Sequence, residues 1–169
     1  MIEKFEVWCS PAGENRRIHL YLPDDYYVTE EHYPVLYMFD GHNLYYDGEA
    51  TAIAGYSMGG MMALFAVLRY NQYFSKSAVI SPALIPAMEN FKQEIAGSNY
   101  DGDTRIFFSW GTDEDSKEEV WNLSQSILYL EKEVQKKGIR TWIHCQIGGH
   151  HNEESWEKQV PEWMHFLWF

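Results

Sequence analysis

The stretch Gly55-Tyr56-Ser57-Met58-Gly59-Gly60 restricts the folding of this chain more than any other. Before it, Thr51-Ala52-Ile53-Ala54 is a short apolar run suited to a buried strand. After it, Met61–Arg69 is apolar and rich in helix formers. A serine at such a strand-to-helix corner must hold a strained backbone, with chain packed tightly on both sides. Glycine at 55 and 59 removes Cβ atoms that would collide there, and Gly60 lets the helix lie close to the sheet. The corner lifts the Ser57 hydroxyl above the sheet at the positive end of a helix, where a serine can act as a nucleophile.

The rest of the chain supplies a setting for that corner. Phe5–Cys9 and Arg17–Leu22 flank the turn Ser10–Asn15 and read as a hairpin. Pro34–Phe39 is continuously apolar, as in a central strand covered on both faces. Further strands are expected near Ser77–Ile80, at Arg105–Trp110 and at Thr141–Ile147, the last with Ile143, Cys145 and Ile147 on one face. From Lys117 to Lys137, Val120, Leu123, Ile127, Leu130 and Val134 recur at helical spacing, and Gly138 stops the helix. A final helix over Glu153–Leu167 should bend at Pro161. Strands alternating with helices predict an α/β fold: a mostly parallel sheet with helices on both faces, in one compact domain over residues 1–169.

The net charge of −12 would repel a phosphate backbone or an anionic membrane over most of the surface, so neither nucleic acid nor membrane is expected as a partner. No segment approaches the roughly eighteen uninterrupted apolar residues of a membrane span. The amino terminus lacks a basic-then-apolar profile, which makes the cytoplasm the expected location. Cys9 and Cys145 form no framework and no metal-spaced pair; both are expected to be small buried apolar residues. His42, His144, His150 and His151 fall in no metal-binding pattern, so no metal and no cofactor are expected.

In a parallel sheet the chemistry gathers at the carboxyl ends of the strands. Ser57, the Asp113–Asp115 group and the pair His150–His151 lie there, in the order nucleophile, acid, histidine used by α/β-hydrolases. Five segments carry a closer likeness: Tyr33–Leu44, Thr51–Gly60, Ile80–Ala83, Gly111–Glu114 and His151–Trp156. On these the chain resembles the esterases grouped with esterase D and enterochelin esterase, within the α/β-hydrolase fold. The resemblance implies ester hydrolysis through a Ser–His–acid triad. It points to His151 as the base, with His150 as the alternative. Among the carboxylates it points to Glu114, with Asp113 and Asp115 as alternatives. Relatives include feruloyl, acetyl-xylan and siderophore esterases and mycolyltransferases, so the family leaves the substrate open.

The oxyanion hole needs two backbone N–H groups. The elbow supplies one at Met58; the loop after Val35–Phe39 should supply the other at His42 or Asn43. The chain departs from the family in that loop. Only Asp40–Ala50, eleven residues, precede the Ser57 strand, where relatives carry a further strand and helix. The expectation is a reduced α/β-hydrolase fold, with a block missing between Ala50 and Thr51.

These readings lead to a serine carboxylesterase acting on short-chain or aromatic acyl esters, including carbohydrate- or feruloyl-type esters. The competing readings are an acyltransferase and a catalytically inactive binding module. Seven Trp, twelve Tyr and nine Phe exceed what a shortened fold should bury, and Trp163–Phe169 is densely aromatic. A homodimer in which each copy covers the other's gap near Asp40–Ala50 is therefore expected.

Overall fold

The computed structural model describes residues 2–9, 14–23, 25–29, 36–39, 51–100 and 102–169. Strands β1 (Ile2–Cys9) and β2 (Glu14–Tyr21) form the antiparallel hairpin expected from the sequence, though both strands start earlier than expected. The main sheet contains β3 (Leu36–Phe39), β4 (Ala52–Tyr56), β5 (Lys76–Ile80), β6 (Arg105–Gly111) and β7 (Arg140–Gln146). They lie side by side in chain order and are all parallel. The shortened connection therefore joins two adjacent strands, with Leu36 opposite Ala52, and the sheet is continuous across it.

Helices cover both faces. On one lie α1 (Met58–Arg69), α2 (Met88–Gly97) and α3 (Lys117–Gln135); on the other lie α4 (Glu153–Glu157) and α5 (Val160–Trp168). Alternation along each strand decides which layer a side chain enters. Val79, Ile106 and Phe108 meet Leu64, Val67, Phe91, Ile127 and Leu130 on the first face. Ala52, Ala54, Ala78 and Phe107 meet Trp156, Trp163 and Leu167 on the second. Three alanines on that face leave room for the large rings to approach the sheet.

Several expectations change here. The aromatic carboxyl terminus is largely absorbed: Trp163 and Leu167 are buried, whereas Met164 and Phe169 stay exposed. The final helix is not one bent helix but two, and Pro161 stands at the start of α5, where its missing N–H would have no helical partner anyway. Cys145 is exposed, because β7 is flanked by β6 alone among the described strands and is only half covered. His144 is a partly exposed partner of Glu162, with Nδ1 2.8 Å from Oε2. Helix α2 was not read from the sequence, since only Phe91 and Ile95 of it are buried. Among the described residues, no helix is long and apolar enough to cross a membrane.

Candidate active site

Strand β4 ends at Tyr56 and α1 begins at Met58, so Ser57 alone makes the corner. Its φ of 55° and ψ of −120° lie in a region that costs a non-glycine residue about 1–3 kcal/mol. The surroundings hold it there. Ser57 N–H donates to the Ile80 carbonyl at 3.1 Å, and the Ser57 carbonyl accepts from Met61 N–H and Ala83 N–H, each at 3.1 Å. A Cβ on Gly55 would stand 2.2 Å from the Gly59 backbone, and one on Gly60 would stand 2.8 Å from the Ile80 carbonyl oxygen. Glycine is thus required at both positions for the corner to close on β5. The Ser57 side chain makes no capping bond to the helix. Met58 N–H lies in the first turn of α1, where backbone donors lack helical acceptors. His42 and Asn43 lie outside the described residues.

The next two strands end in loops that are stitched together. Thr112 N–H bonds the Gln146 carbonyl at 3.0 Å, Asp113 N–H bonds the Gly149 carbonyl at 2.9 Å, and Gly148 N–H bonds Thr112 Oγ1 at 2.8 Å. A Cβ on Gly111 would lie 2.1 Å from the Gly149 carbonyl oxygen, so only glycine permits this approach.

That contact brings Glu114 and His151 together. Glu114 Oε2 lies 3.1 Å from His151 Nδ1, and the carboxylate is almost wholly buried, with 4% of its side chain exposed. Burial of a charge demands compensating donors. Oε1 accepts from Ser81 Oγ and from Gly111 N–H, each at 2.5 Å. Ser81 Oγ in turn accepts from Trp156 Nε1 at 3.0 Å. An indole N–H can only donate and a carboxylate can only accept, so the serine proton must point toward Glu114. The same logic places a proton on His151 Nδ1, toward Oε2, and leaves Nε2 free to accept one.

Trp156 supports the imidazole from behind, edge-on at 5.0 Å, and stacks on Tyr56 at 4.8 Å. Its helix is capped by Asn152, whose Oδ1 accepts from Ser155 N–H at 3.0 Å. Among the described residues, Ser81 is the second non-glycine residue with positive φ, at 46°. It follows the last residue of β5, and its N–H donates to the Ser109 carbonyl at 2.8 Å.

The alternative residues are engaged elsewhere. His150 Nδ1 donates to the Asp113 carbonyl at 2.9 Å. Asp113 Oδ1 accepts from Thr112 Oγ1 at 3.2 Å. Asp115 accepts from Ser116 N–H at 2.7 Å, and hydrogen bonding with Glu119, then with that N–H, holds its carboxyl below the usual range. Sequence reasoning placed Ser81 and Trp156 in matching segments but gave them no role. Neither is a titratable catalytic type, and their connection to Glu114 exists only in three dimensions. Among the described residues, no group of three or more His, Cys, Asp or Glu side chains is arranged to hold a metal ion.

A parallel sheet with helices on both faces and a strained serine corner between strand and helix is the architecture of the α/β-hydrolase fold. An IroE-like serine hydrolase from Shewanella oneidensis superposes over 99% of this chain and 80% of its own, with a TM-score of 0.78 at 12% identity. A ferulic acid esterase superposes over 96% of this chain and 95% of its own, with a TM-score of 0.70 at 16% identity. The siderophore hydrolase EstA from Aspergillus nidulans matches 68% of this chain but only 47% of its own length, with a TM-score of 0.50 at 16% identity. At these identities the likeness is one of fold. No curated protein matches the chain. The profile of the family described as "Putative esterase" matches residues 43–167, and the chain belongs to that family. It is a carboxylic ester hydrolase.

Proposed function

We propose that the protein is a serine esterase with Ser57 as nucleophile, His151 as base and Glu114 as the acid that orients the base. The observation that carries this is the buried Glu114 carboxylate, fixed by Ser81 and Gly111 and facing His151 Nδ1. His151 Nε2 takes the Ser57 proton as Oγ attacks the ester carbonyl. Met58 N–H and a donor from His42 or Asn43 hold the oxyanion. The alcohol leaves with the proton from Nε2. Water, deprotonated by the same nitrogen, then cleaves the acyl-enzyme and releases the acid. The substrates are short-chain or aromatic acyl esters. The name of the ferulic acid esterase supports the aromatic acyl variant of this chemistry.

Nitrophenyl acetate tests the assignment. Ser57→Ala should lower kcat by about four orders of magnitude or more, and a fluorophosphonate should label Ser57 in the parent protein. Retained turnover in Ser57→Ala, or absence of labelling, overturns the proposal. An added alcohol that outcompetes water would reassign the protein as an acyltransferase.

The proposal includes a homodimer. Support comes from apolar side chains exposed on the hairpin, Phe5, Val7 and Trp8, and from Phe169. The connection expected to face the partner, Asp40–Ala50, lies outside the described residues. The cytoplasm remains the proposed location.

A further inference from the structure

A cavity of about 380 Å³ opens beside His151. One wall is the segment 81–86, and the other is the start of α3, with Val120 and Leu123; Asp115 and Glu119 are also part of its lining. The first wall is tied to the proposed nucleophile, since Ala83 N–H bonds the Ser57 carbonyl. His151 lines the cavity, and in the mechanism above it is His151 that returns a proton to the departing oxygen. The shared His151 makes the cavity the candidate place for the leaving group.

The lining chemistry narrows what can leave from there. Pro82, Ala83, Leu84, Pro86, Val120 and Leu123 offer hydrocarbon, so an apolar group gains by entering. About 150 Å³ suffices for a benzene ring, so this space takes a substituted aryl or branched alkyl group. Asp115, Glu119 and the buried Glu114 are its charged lining residues apart from the histidine, and neither Lys nor Arg is among them. Ser116 fixes the first two: its N–H donates to Asp115, and its Oγ lies 3.0 Å from Glu119 Oε2.

Resting on the serine esterase reading, we propose that this cavity binds the alcohol portion of the ester, an apolar aryl or branched alkyl alcohol. We further propose that Asp115 and Glu119 turn away alcohols bearing a negative charge.

The test holds the acyl group constant as acetate and varies the alcohol: methyl 4-acetoxybenzoate, the anionic 4-acetoxybenzoate, and ethyl acetate. After correction for their rates with hydroxide, the neutral aryl ester should exceed the anionic one by about tenfold in kcat/KM, the size of effect a nearby surface charge exerts. Added salt should narrow the gap in the parent protein, which needs no variant. In Asp115→Asn/Glu119→Gln, which keeps the acceptor oxygens, the gap should close while ethyl acetate turnover persists. Leu123→Trp should raise KM for the aryl ester by a larger factor than for ethyl acetate, whose alcohol portion is far smaller. Equal turnover of both aryl esters, or a gap that ignores salt and the double variant, overturns this inference alone. No turnover of any acetate overturns the esterase reading and this inference with it.

Discussion

At the scale of single residues, the site depends on two serines held at positive φ, and they do different work. Ser57 offers its hydroxyl to a substrate. Ser81 gives its hydroxyl proton to Glu114 and receives one from Trp156, so it settles which way the acid faces. Removing that hydroxyl leaves a buried indole N–H without its acceptor and a carboxylate with one donor fewer, a loss of about 1–3 kcal/mol. Ser81→Ala and Ser81→Gly separate strain from bonding. Both should lower kcat/KM by about tenfold or more, because both lose the bond. Only glycine relieves the φ of 46°, so Ser81→Gly should melt above Ser81→Ala. Full activity in Ser81→Ala would show that Glu114 needs no such partner. The sequence made the catalytic types legible because each is chemically distinctive and sits after a readable strand. It could not reveal Ser81, because a serine before a proline is also the ordinary way to end a strand.

At the scale of elements, β5 begins with a charge in an unusual place. Lys76 is buried at the start of a central strand, and its Nζ lies 2.9 Å from Asp103 Oδ2. Asp103 also meets Arg105 at 3.0 Å. The Lys76 ammonium, aided by Arg105, outweighs partial burial and holds the Asp103 carboxyl below its usual range. A depressed carboxylate contributes stability that is fully present above the unfolded-state pKa, near 3.9, and lost as pH falls through the lower folded-state value. Asp103→Asn should therefore cost about 1–2 kcal/mol near neutrality, a figure discounted for the exposed side of Asp103. The deficit should shrink below about pH 4 in urea melts compared across pH; a constant deficit would contradict the assignment. The strands and α3 were readable because their apolar patterns are long or unbroken. Helix α2 rests on a single buried pair, Phe91 and Ile95, which is too narrow a stripe to distinguish from a loop. The exposure of Cys145 depends on β7 having one neighbour among the described strands, which no local pattern encodes.

At the scale of the whole molecule, the aromatic content that suggested a partner is partly accounted for inside one chain, by Trp156 and Trp163 packing on small residues of the sheet. What stays exposed on the hairpin and at Phe169 still supports the proposed dimer. Melting temperature should then rise with protein concentration, and light scattering should give twice 19.9 kDa. A well-folded species at the single-chain mass across micromolar concentrations would exclude it. The stitching of the β6 and β7 loops has a separate bearing on how such a chain tolerates change. The imidazole and its carboxylate ride on one clasp, closed by Gly111 against Gly149, and every bond of that clasp lies after residue 110. Among the described residues, no bond of that clasp reaches the part of the chain before Thr51. Insertions or deletions before Thr51 can reshape how an ester is admitted without disturbing the machinery that would cleave it.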